Sequence, residues 1–334
     1  MGTETTEWYN QNILIGMTSK RGKAWHYKES SQGAEPNHYE LAIPVEDVER
    51  RLFFWNAIEL PMEYTTPNGD KMVVPNKKVI VRDDTFASLG VPSTKYQSHQ
   101  YSEWLIKNVA NFLDDDLVIG SAGLLKGGAV AWVQVEMPEN MKVADVEFRP
   151  TLLATTSFNG SIATTYKRVV TIVVCDNTRE MALDENGQTY RIRHTSKSLT
   201  RIAEARSALD IIHTMSDEFT KELETLLAIK VSDNQFDKFL TKFAPATGAD
   251  GANKQTRADN VREQLKNLYI SDERVSPWKG TGYGVLQAVN TYRQHERPIR
   301  GNTIAVERTM METLKGKNAE ADIHAMELLL QVTR

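Results

Sequence analysis

The stretch that decides the fold is "ADVEFRPTLLATTSFNGSIATTYKRVVTIVVC", residues 144–175. Two runs rich in β-branched and aromatic residues, 144–158 and 161–175, flank the dipeptide Asn159-Gly160. Such runs favour strands, and Asn-Gly is a strong short-range signal for a two-residue hairpin turn. The stretch therefore predicts two antiparallel strands that are joined around Asn159-Gly160.

Strand and helix signals continue on both sides of this hairpin. The runs "AVAWVQVEM" (129–137) and "QTYRIRH" (188–194) read as further strands. From about Thr195 to Ile229, apolar residues recur every three or four positions, which predicts one long amphipathic helix. Helical patterns also occur at 43–58, 99–113, 257–269, 282–296 and 303–332. The order predicts an α+β fold, with an antiparallel β-sheet followed by one long amphipathic helix and flanking helices at both ends.

The length of 334 residues is typical of one large or two ordinary domains. The clearest break is the small-residue loop "APATGADGANKQT", 244–256. We therefore expect an N-terminal α/β region (1–120), a central region of antiparallel sheet plus long helix (121–243), and a C-terminal helical region (257–334).

The bulk composition excludes some classes of protein. A formal charge of −4 gives no general attraction to nucleic acid or membranes, so an anion site has to be a local patch. Cys175 is the only cysteine, which rules out an intrachain disulfide and fits a reducing compartment. No apolar run approaches the ~20 residues that cross a bilayer, and the first residues lack the features of a signal peptide. We expect a soluble, cytoplasmic protein.

Cations gather at the junction between the last strand and the long helix. Arg191, Arg193, Lys197, Arg201 and Arg206 face a single acid, Glu204. Strand alternation places the first two arginines on one face, and the helix macrodipole disfavours the cations in the first helical turns. A bound polyanion would remove this conflict, because phosphates are attracted both to cations and to helix N-termini. The alternative is a solvated face that is balanced by neighbouring carboxylates.

The first interpretation predicts a platform for single-stranded nucleic acid. Its binding residues would be Lys167, Arg168, Tyr190, Arg191, Arg193, Lys197 and Arg201, with Tyr190 or Tyr166 stacking on bases. A second basic cluster, "YRQHERPIRG" (292–301), contains Arg293, His295, Arg297 and Arg300. It surrounds a helix end, where the dipole favours cations, so a structural role is the stronger interpretation there.

Catalytic and metal-binding motifs find little support. "GLLKGG" (123–128) lacks the Lys-Ser/Thr of a phosphate loop and predicts a tight turn, and "GTGYG" (280–284) predicts a plain loop or an anion-binding helix start. The acidic run 114–116 is interpreted as a solvated loop. Asp145 and Glu147 form either the polar face of a strand or the metal site of a nuclease. We expect no cofactor and no metal, and whether any catalysis occurs stays open.

Several stretches resemble a family of phage- and plasmid-encoded proteins that is described only as a domain of unknown function. They are "AWH" (24–26), "IPVEDVERRLFFW" (43–55), "VIVRDDTFASLGVPSTKYQSHQYSEWL" (79–105), "GLLKGGAVAWVQVEMP" (123–138), "FNGSIATTYKRVVTIVVCDNT" (158–178) and "GTGYGVLQAVNTYRQHERP" (280–298). The resemblance implies a genetic context, with the host cytoplasm as the location if the chain is phage-encoded, but no established activity. At the level of fold alone, antiparallel strands leading into one long helix also resemble single-strand annealing proteins of the RecT/Redβ type.

Together these features predict a protein that binds and anneals single-stranded DNA as a homo-oligomer, without a cofactor and without a membrane. Two alternatives stay open. One is a phage-encoded interaction or counter-defence protein that binds a protein or a small anion, for which an exposed apolar patch would be the mark. The other is a metal-dependent nuclease.

Overall fold

The computed structural model describes residues 3–23, 27, 29–33, 35–110, 113, 117–137, 140–172, 177–179, 189–192, 211–246, 251–298 and 305–334. The chain divides into two compact units. Unit 1 comprises Met1–Glu139, Pro150–Val169 and Gln188–His213, and unit 2 comprises Asn140–Arg149, Val170–Gly187 and Thr214–Arg334. Helices and antiparallel strands are both present, so the predicted α+β class is confirmed. The division into three regions along the chain stays a prediction.

Short helices occupy the first part of unit 1. They are α1 (Thr3–Asn12), α2 (Thr18–Arg21), α3 (Val45–Leu52), a π-helical turn (Ser102–Lys107) and α4 (Asn108–Ala110). Helix α3 starts as predicted, with acids in its first turn and arginines in its last turn, which matches the macrodipole. It ends at Leu52, six residues before the predicted end at 58. From Phe53 to Ala57 burial alternates with a period of two, so packing of these aromatic residues overrides the helical spacing.

The main sheet of unit 1 is built from β1 (Ile13–Ile15), β5 (Val118–Leu125), β6 (Val130–Glu136), β8 (Val146–Ser157), β9 (Thr164–Ile172) and β11 (Thr189–Ile192). Neighbouring strands follow the order β1-β5-β6-β8-β9, and β11 pairs with β9. The unit boundaries fall within β8 and β9. Both predicted hairpin strands are therefore present. Gly123 lies opposite Trp132, where any Cβ would overlap the indole ring.

The turn between β8 and β9 is wider than predicted. Residues 158–163 form the connection, in place of a two-residue turn. The Ser157 hydroxyl donates to the Ile162 carbonyl at 2.7 Å and accepts from the Ile162 amide at 3.1 Å. Asn159 Oδ1 accepts from the Ser161 amide at 2.9 Å, and Gly160 has a φ of 71°. Side chains therefore close this loop, which is why the strands pair without a tight turn.

A second sheet of unit 1 contains β2 (Ala57–Thr65), β3 (Lys71–Arg82) and β4 (Ser88–Gly90), in the order β2-β3-β4. The long antiparallel hairpin of β2 and β3, residues 57–82, is called the β-arm below. Its turn is closed by backbone bonds between Thr66 and Asp70 and between Gly69 and Thr66, with Gly69 at a φ of 89°. The run "KKVIVRDD" (77–84) predicts a strand that corresponds to the second half of β3, but the sequence did not lead us to predict the hairpin.

Unit 2 is mainly helical. Its helices are α5 (Ile211–Ala228), α6 (Asp233–Phe243), α7 (Ala252–Ser271), α8 (Gly282–Thr291) with a π-helical extension (Tyr292–Glu296), α9 (Ala305–Leu314) and α10 (Lys317–Thr333). Short strands β7 (Met141–Val143) and β10 (Asn177–Arg179) pair with β8 and β9 in this unit.

The predicted helices of unit 2 are found, with changed boundaries. Of the long helix expected over 195–229, the structure describes 211–228, and residues 193–210 lie outside the described residues. The helix predicted over 303–332 is divided at Gly316, whose φ of 78° cannot continue a right-handed helix. Among the described helices, none is both long and apolar enough to span a membrane.

Candidate functional site

The last strand of the unit 1 sheet leads into the cation-rich junction. Strand β11 pairs antiparallel with β9, so that Tyr190 lies opposite Tyr166 and Arg191 lies opposite Thr165. Among the described strands, β11 pairs with β9 alone. Of the other predicted binding residues, Arg168 lies in β9, whereas Arg193, Lys197 and Arg201 lie outside the described residues. The backbone thus places the start of the junction at a sheet edge.

Two residues of the predicted platform lie in the interior. Tyr166 is 2% exposed, and its hydroxyl donates to the Trp104 carbonyl oxygen at 3.0 Å. A ring in this position has no free face for a base, so of the two alternative stacking residues, Tyr190 and Tyr166, the burial argues against Tyr166. Lys167 is 5% exposed, unlike a surface lysine that reaches a phosphate. The strand is buried on both faces, and sequence alternation alone did not reveal this.

Strand β9 is held by a buried polar network. His99 stacks on Trp104 with ring centroids 3.5 Å apart and 6° between the planes. Its Nδ1 lies 2.8 Å from Thr164 Oγ1, which lies 2.8 Å from Thr156 Oγ1. Because these groups are buried and hydrogen-bonded together, the strand that sets the register of β11 is fixed in place.

The exposed apolar side chains of the described residues concentrate around the β-arm. Seven of the ten large apolar side chains that are strongly exposed fall between residues 54 and 91. They are Phe54, Leu60, Tyr64, Met72, Val73, Phe86 and Val91. Scattered exposed apolar residues are ordinary, but a concentration of them marks an interaction surface.

An open hollow of about 350 Å³ lies on the β-arm. Its apolar lining includes Leu60, Pro61, Val73, Val74 and Pro75. The hollow coincides with an irregular part of the hairpin, where the register shifts between Pro61 and Glu63 and Asn76 has a φ of 58°. A β-bulge of this kind bends the strands, which separates side chains that would otherwise fill the space.

A buried lysine anchors the β-arm beside this hollow. Lys78 is 8% exposed, and its Nζ lies 2.7 Å from Glu59 Oε2 and 2.6 Å from the Tyr96 carbonyl oxygen. Burial acts to raise the pKa of Glu59, but hydrogen bonds from Lys78 and Ser98 outweigh it and hold that pKa below its ordinary value. The carboxylate is therefore kept ionised and accepts bonds from both neighbours.

The outer edge of β2 is protected against pairing with another strand. The Gln100 side chain accepts from the Ala57 amide at 2.9 Å and donates to the Ala57 carbonyl at 2.8 Å. The backbone N–H and C=O of Ala57 thus point away from β3. Strand alternation directs the backbone groups of Glu59 and Pro61 to the same side. A charge and a proline without an N–H both oppose added strands. Contacts to the β-arm are therefore expected through side chains.

The second basic cluster is paired within unit 2. Glu312 lies 2.5 Å from Arg297, 3.6 Å from Arg308 and 4.0 Å from Arg293. Burial lowers the pKa of Arg293, and the charge of Arg297 adds to this effect. These ion pairs agree with the structural role that was predicted for the cluster, while Arg300 lies outside the described residues.

The remaining motifs support no catalytic centre among the described residues. "GLLKGG" forms a turn between β5 and β6, as predicted. In "GTGYG" the Thr281 hydroxyl caps α8 by accepting from the Gly284 amide at 3.1 Å. Within the described ranges, no three His, Cys, Asp or Glu side chains could hold a metal ion, and 114–116 lie outside them.

Comparison with known proteins gives a family but no activity. The family described as Domain of unknown function (DUF932) matches residues 88–314. This match covers more than half of the chain, which therefore belongs to that family. β2 and β3 of the β-arm precede the matched residues. No curated protein and no solved structure matches the chain.

The hairpin of the β-arm was not predicted from the sequence, although a signal for it was present. The turn contains Asn68-Gly69, between the runs "AIELPMEYT" and "KMVVPNKKVIVR". Asn-Gly between two β-prone runs is a hairpin signal. Pro61 and Pro75 obscured it, because proline within a run argues against a strand unless the strand is an edge or is bulged.

Proposed function

We propose that this protein binds single-stranded DNA and promotes annealing of complementary strands as a homo-oligomer, without a cofactor. Arg191, Arg193, Lys197 and Arg201 bind the phosphates, Arg168 extends the track, and Tyr190 stacks on a base. Such a protein holds the strand extended with its bases exposed. Base pairing then supplies the driving force, so no catalytic group is required.

The observation that carries the proposal is the position of β11. Among the described strands β11 pairs with β9 alone, its register sets Tyr190 and Arg191 opposite Tyr166 and Thr165, and the cation-rich junction follows it in the sequence. The stretch 191–206 has five cations and one acid in a chain of charge −4. A local excess of this kind at the edge of a sheet suits an extended polyanion. We also propose that the chain is phage-encoded and that its fold resembles that of annealing proteins of the RecT/Redβ type.

The buried positions narrow the proposed track. Lys167 and Tyr166 are both interior residues, so the proposal uses neither of them. The phosphate contacts then come from β11, from the residues that follow it and from Arg168 of β9.

The test is fluorescence anisotropy of a labelled single-stranded oligonucleotide, titrated with the full chain at several salt concentrations. We expect affinity to fall steeply with salt, and Arg191→Ala/Arg193→Ala to bind more weakly with a slope lower by up to about 2. The matched control is Lys238→Ala/Arg257→Ala, which removes two exposed cations from α6 and α7. It should bind like the native chain.

Two outcomes contradict the proposal. Absence of binding at low salt excludes the DNA function altogether. An equal loss in both variants shows that only general charge matters. Gel analysis of the oligonucleotide after incubation with Mg²⁺ separates the nuclease alternative, because cleavage would shorten it.

A further inference from the structure

The β-arm and the turn that follows β3 carry several strongly exposed apolar side chains. Leu60 and Val73 at the hollow are 42% and 56% exposed, and the cross-strand neighbours Tyr64 and Met72 are 54% and 47% exposed. Phe86, in the turn after β3, is 70% exposed. A concentration of exposed apolar side chains in one segment marks a contact surface on soluble proteins.

We propose that the β-arm is the surface through which copies of this chain assemble. Apolar side chains of one copy pack into the hollow beside Leu60 and Val73 of another. This inference rests on the proposed function, because it assigns an interface to the homo-oligomer proposed there.

Charge argues against a polyanion or a membrane surface as the occupant. Between residues 59 and 78 the β-arm has three acids, Glu59, Glu63 and Asp70, and three bases, Lys71, Lys77 and Lys78. The net charge of this segment is zero, so phosphates are not attracted to it. Two copies with balanced charges meet without net repulsion, and the acids of one copy can lie near the bases of the other.

The exposed apolar area supplies part of what a contact between copies needs. An aromatic side chain can bury on the order of 150–250 Å². Phe54, Tyr64 and Phe86 are 61%, 54% and 70% exposed, so they contribute roughly 350 Å² per copy towards the ~800 Å² per partner of a standard interface, and the four exposed aliphatic side chains add to this. The β-arm offers a hollow and the exposed ring of Tyr64, and the turn after β3 adds the exposed ring of Phe86, so the surface can be complementary to itself.

Protection of the β2 edge indicates how two copies would contact each other through the β-arm. Gln100 occupies the outward groups of Ala57, and Pro61 has no N–H to donate. Assembly therefore uses the side-chain faces of the sheet and not an added strand, which distinguishes it from edge-to-edge aggregation.

The experiment measures the mass of the full chain by sedimentation equilibrium, without DNA, over a wide concentration range. We expect the native chain to form a defined oligomer, and Leu60→Asp/Val73→Asp to raise its dissociation constant more than tenfold, because two carboxylates would be buried in an apolar contact. The matched control is Ile270→Asp/Ile323→Asp, which alters two apolar side chains of unit 2 that are each 44% exposed. It should assemble like the native chain.

A native chain that is monomeric at every concentration overturns the proposal, and so does an arm variant that assembles normally. The first result would leave a different protein as the partner of the β-arm. If the double variant fails to fold, Tyr64→Ser at the tip of the arm tests the same surface with a smaller change. Failure of DNA binding is distinguishable, because Arg191→Ala/Arg193→Ala should assemble normally and lose only the oligonucleotide.

Discussion

Replacing Lys78 with methionine should loosen the base of the β-arm. Methionine keeps most of the aliphatic length but removes the ammonium group. In the native chain this group bonds to Glu59 Oε2 at 2.7 Å and to the Tyr96 carbonyl at 2.6 Å. The change therefore removes two hydrogen bonds that the charged ammonium group donates.

The size of the effect follows from the exposure of the two partners. A hydrogen bond to a charged group contributes about 1.5–3 kcal/mol when its partner is left buried. The Glu59 side chain is 41% exposed, so water can replace part of the lost hydrogen bond. The Lys78–Glu59 contact therefore contributes only a small part of the expected loss of stability. The Tyr96 carbonyl also loses its ammonium donor. We expect the free energy of unfolding of unit 1 to fall by about 2 kcal/mol.

The adjacent residue provides a matched control. Lys77 lies in the same strand but is exposed, so Lys77→Met should change stability by less than about 0.5 kcal/mol. Urea unfolding measures both variants, and hydrogen exchange of the β2 and β3 amides shows whether the loss is local to the β-arm. Equal effects of the two substitutions would refute the reasoning, because burial of Lys78 would then have no consequence.

The pH dependence gives an independent check of the same contact. The folded pKa of Glu59 is held below its ordinary value, so its contribution to stability is present above the unfolded pKa. This contribution is lost as the pH falls through the folded pKa. In Lys78→Met the acid-induced loss should be smaller, since the main hydrogen-bond partner that lowers the pKa is absent.

Three further predictions concern other parts of the chain. Burial and the charges of Lys23 and Arg21 lower the pKa of His38 to about 4. The free energy of unfolding should therefore fall by on the order of 2 kcal/mol as the pH drops from about 6.5 to 4. In acid unfolding curves, His38→Gln should flatten this decline. Thr281→Ala should cost unit 2 about 1 kcal/mol in urea unfolding through loss of the α8 cap, whereas Thr281→Ser should retain the capping bond and most of that stability. Gly123→Ala should destabilise unit 1 by about 1–3 kcal/mol in thermal unfolding, because its Cβ would overlap the buried Trp132 ring, and a neutral result would contradict the packing.

Much of the fold follows from local sequence patterns. β-branched runs on both sides of Asn159-Gly160 predicted β8 and β9, and apolar spacing predicted α3 and the helices of unit 2 except α6. Boundaries were wrong where tertiary contacts compete with local spacing. The aromatic residues after Leu52 pack with alternating burial, and Ser157 closes a six-residue turn where a tight turn was expected.

The candidate site was less accessible to sequence reasoning. Composition locates the cations of the junction, but it does not show that Lys167 lies on a strand buried on both faces. The hairpin of the β-arm was not predicted because its strands are mostly exposed, whereas β9 is buried on both faces. Its strands are exposed along much of their length, so they lack the alternation of apolar and polar residues that one buried face would impose.

The most direct test of the proposed function is the rate at which two complementary oligonucleotides anneal, followed by energy transfer between dyes on the strands. The account predicts that the native chain accelerates annealing without a metal ion, and that Arg191→Ala/Arg193→Ala does so far less than Lys238→Ala/Arg257→Ala. An annealing rate equal to that of the free strands, at protein concentrations where the chain is assembled, would contradict it.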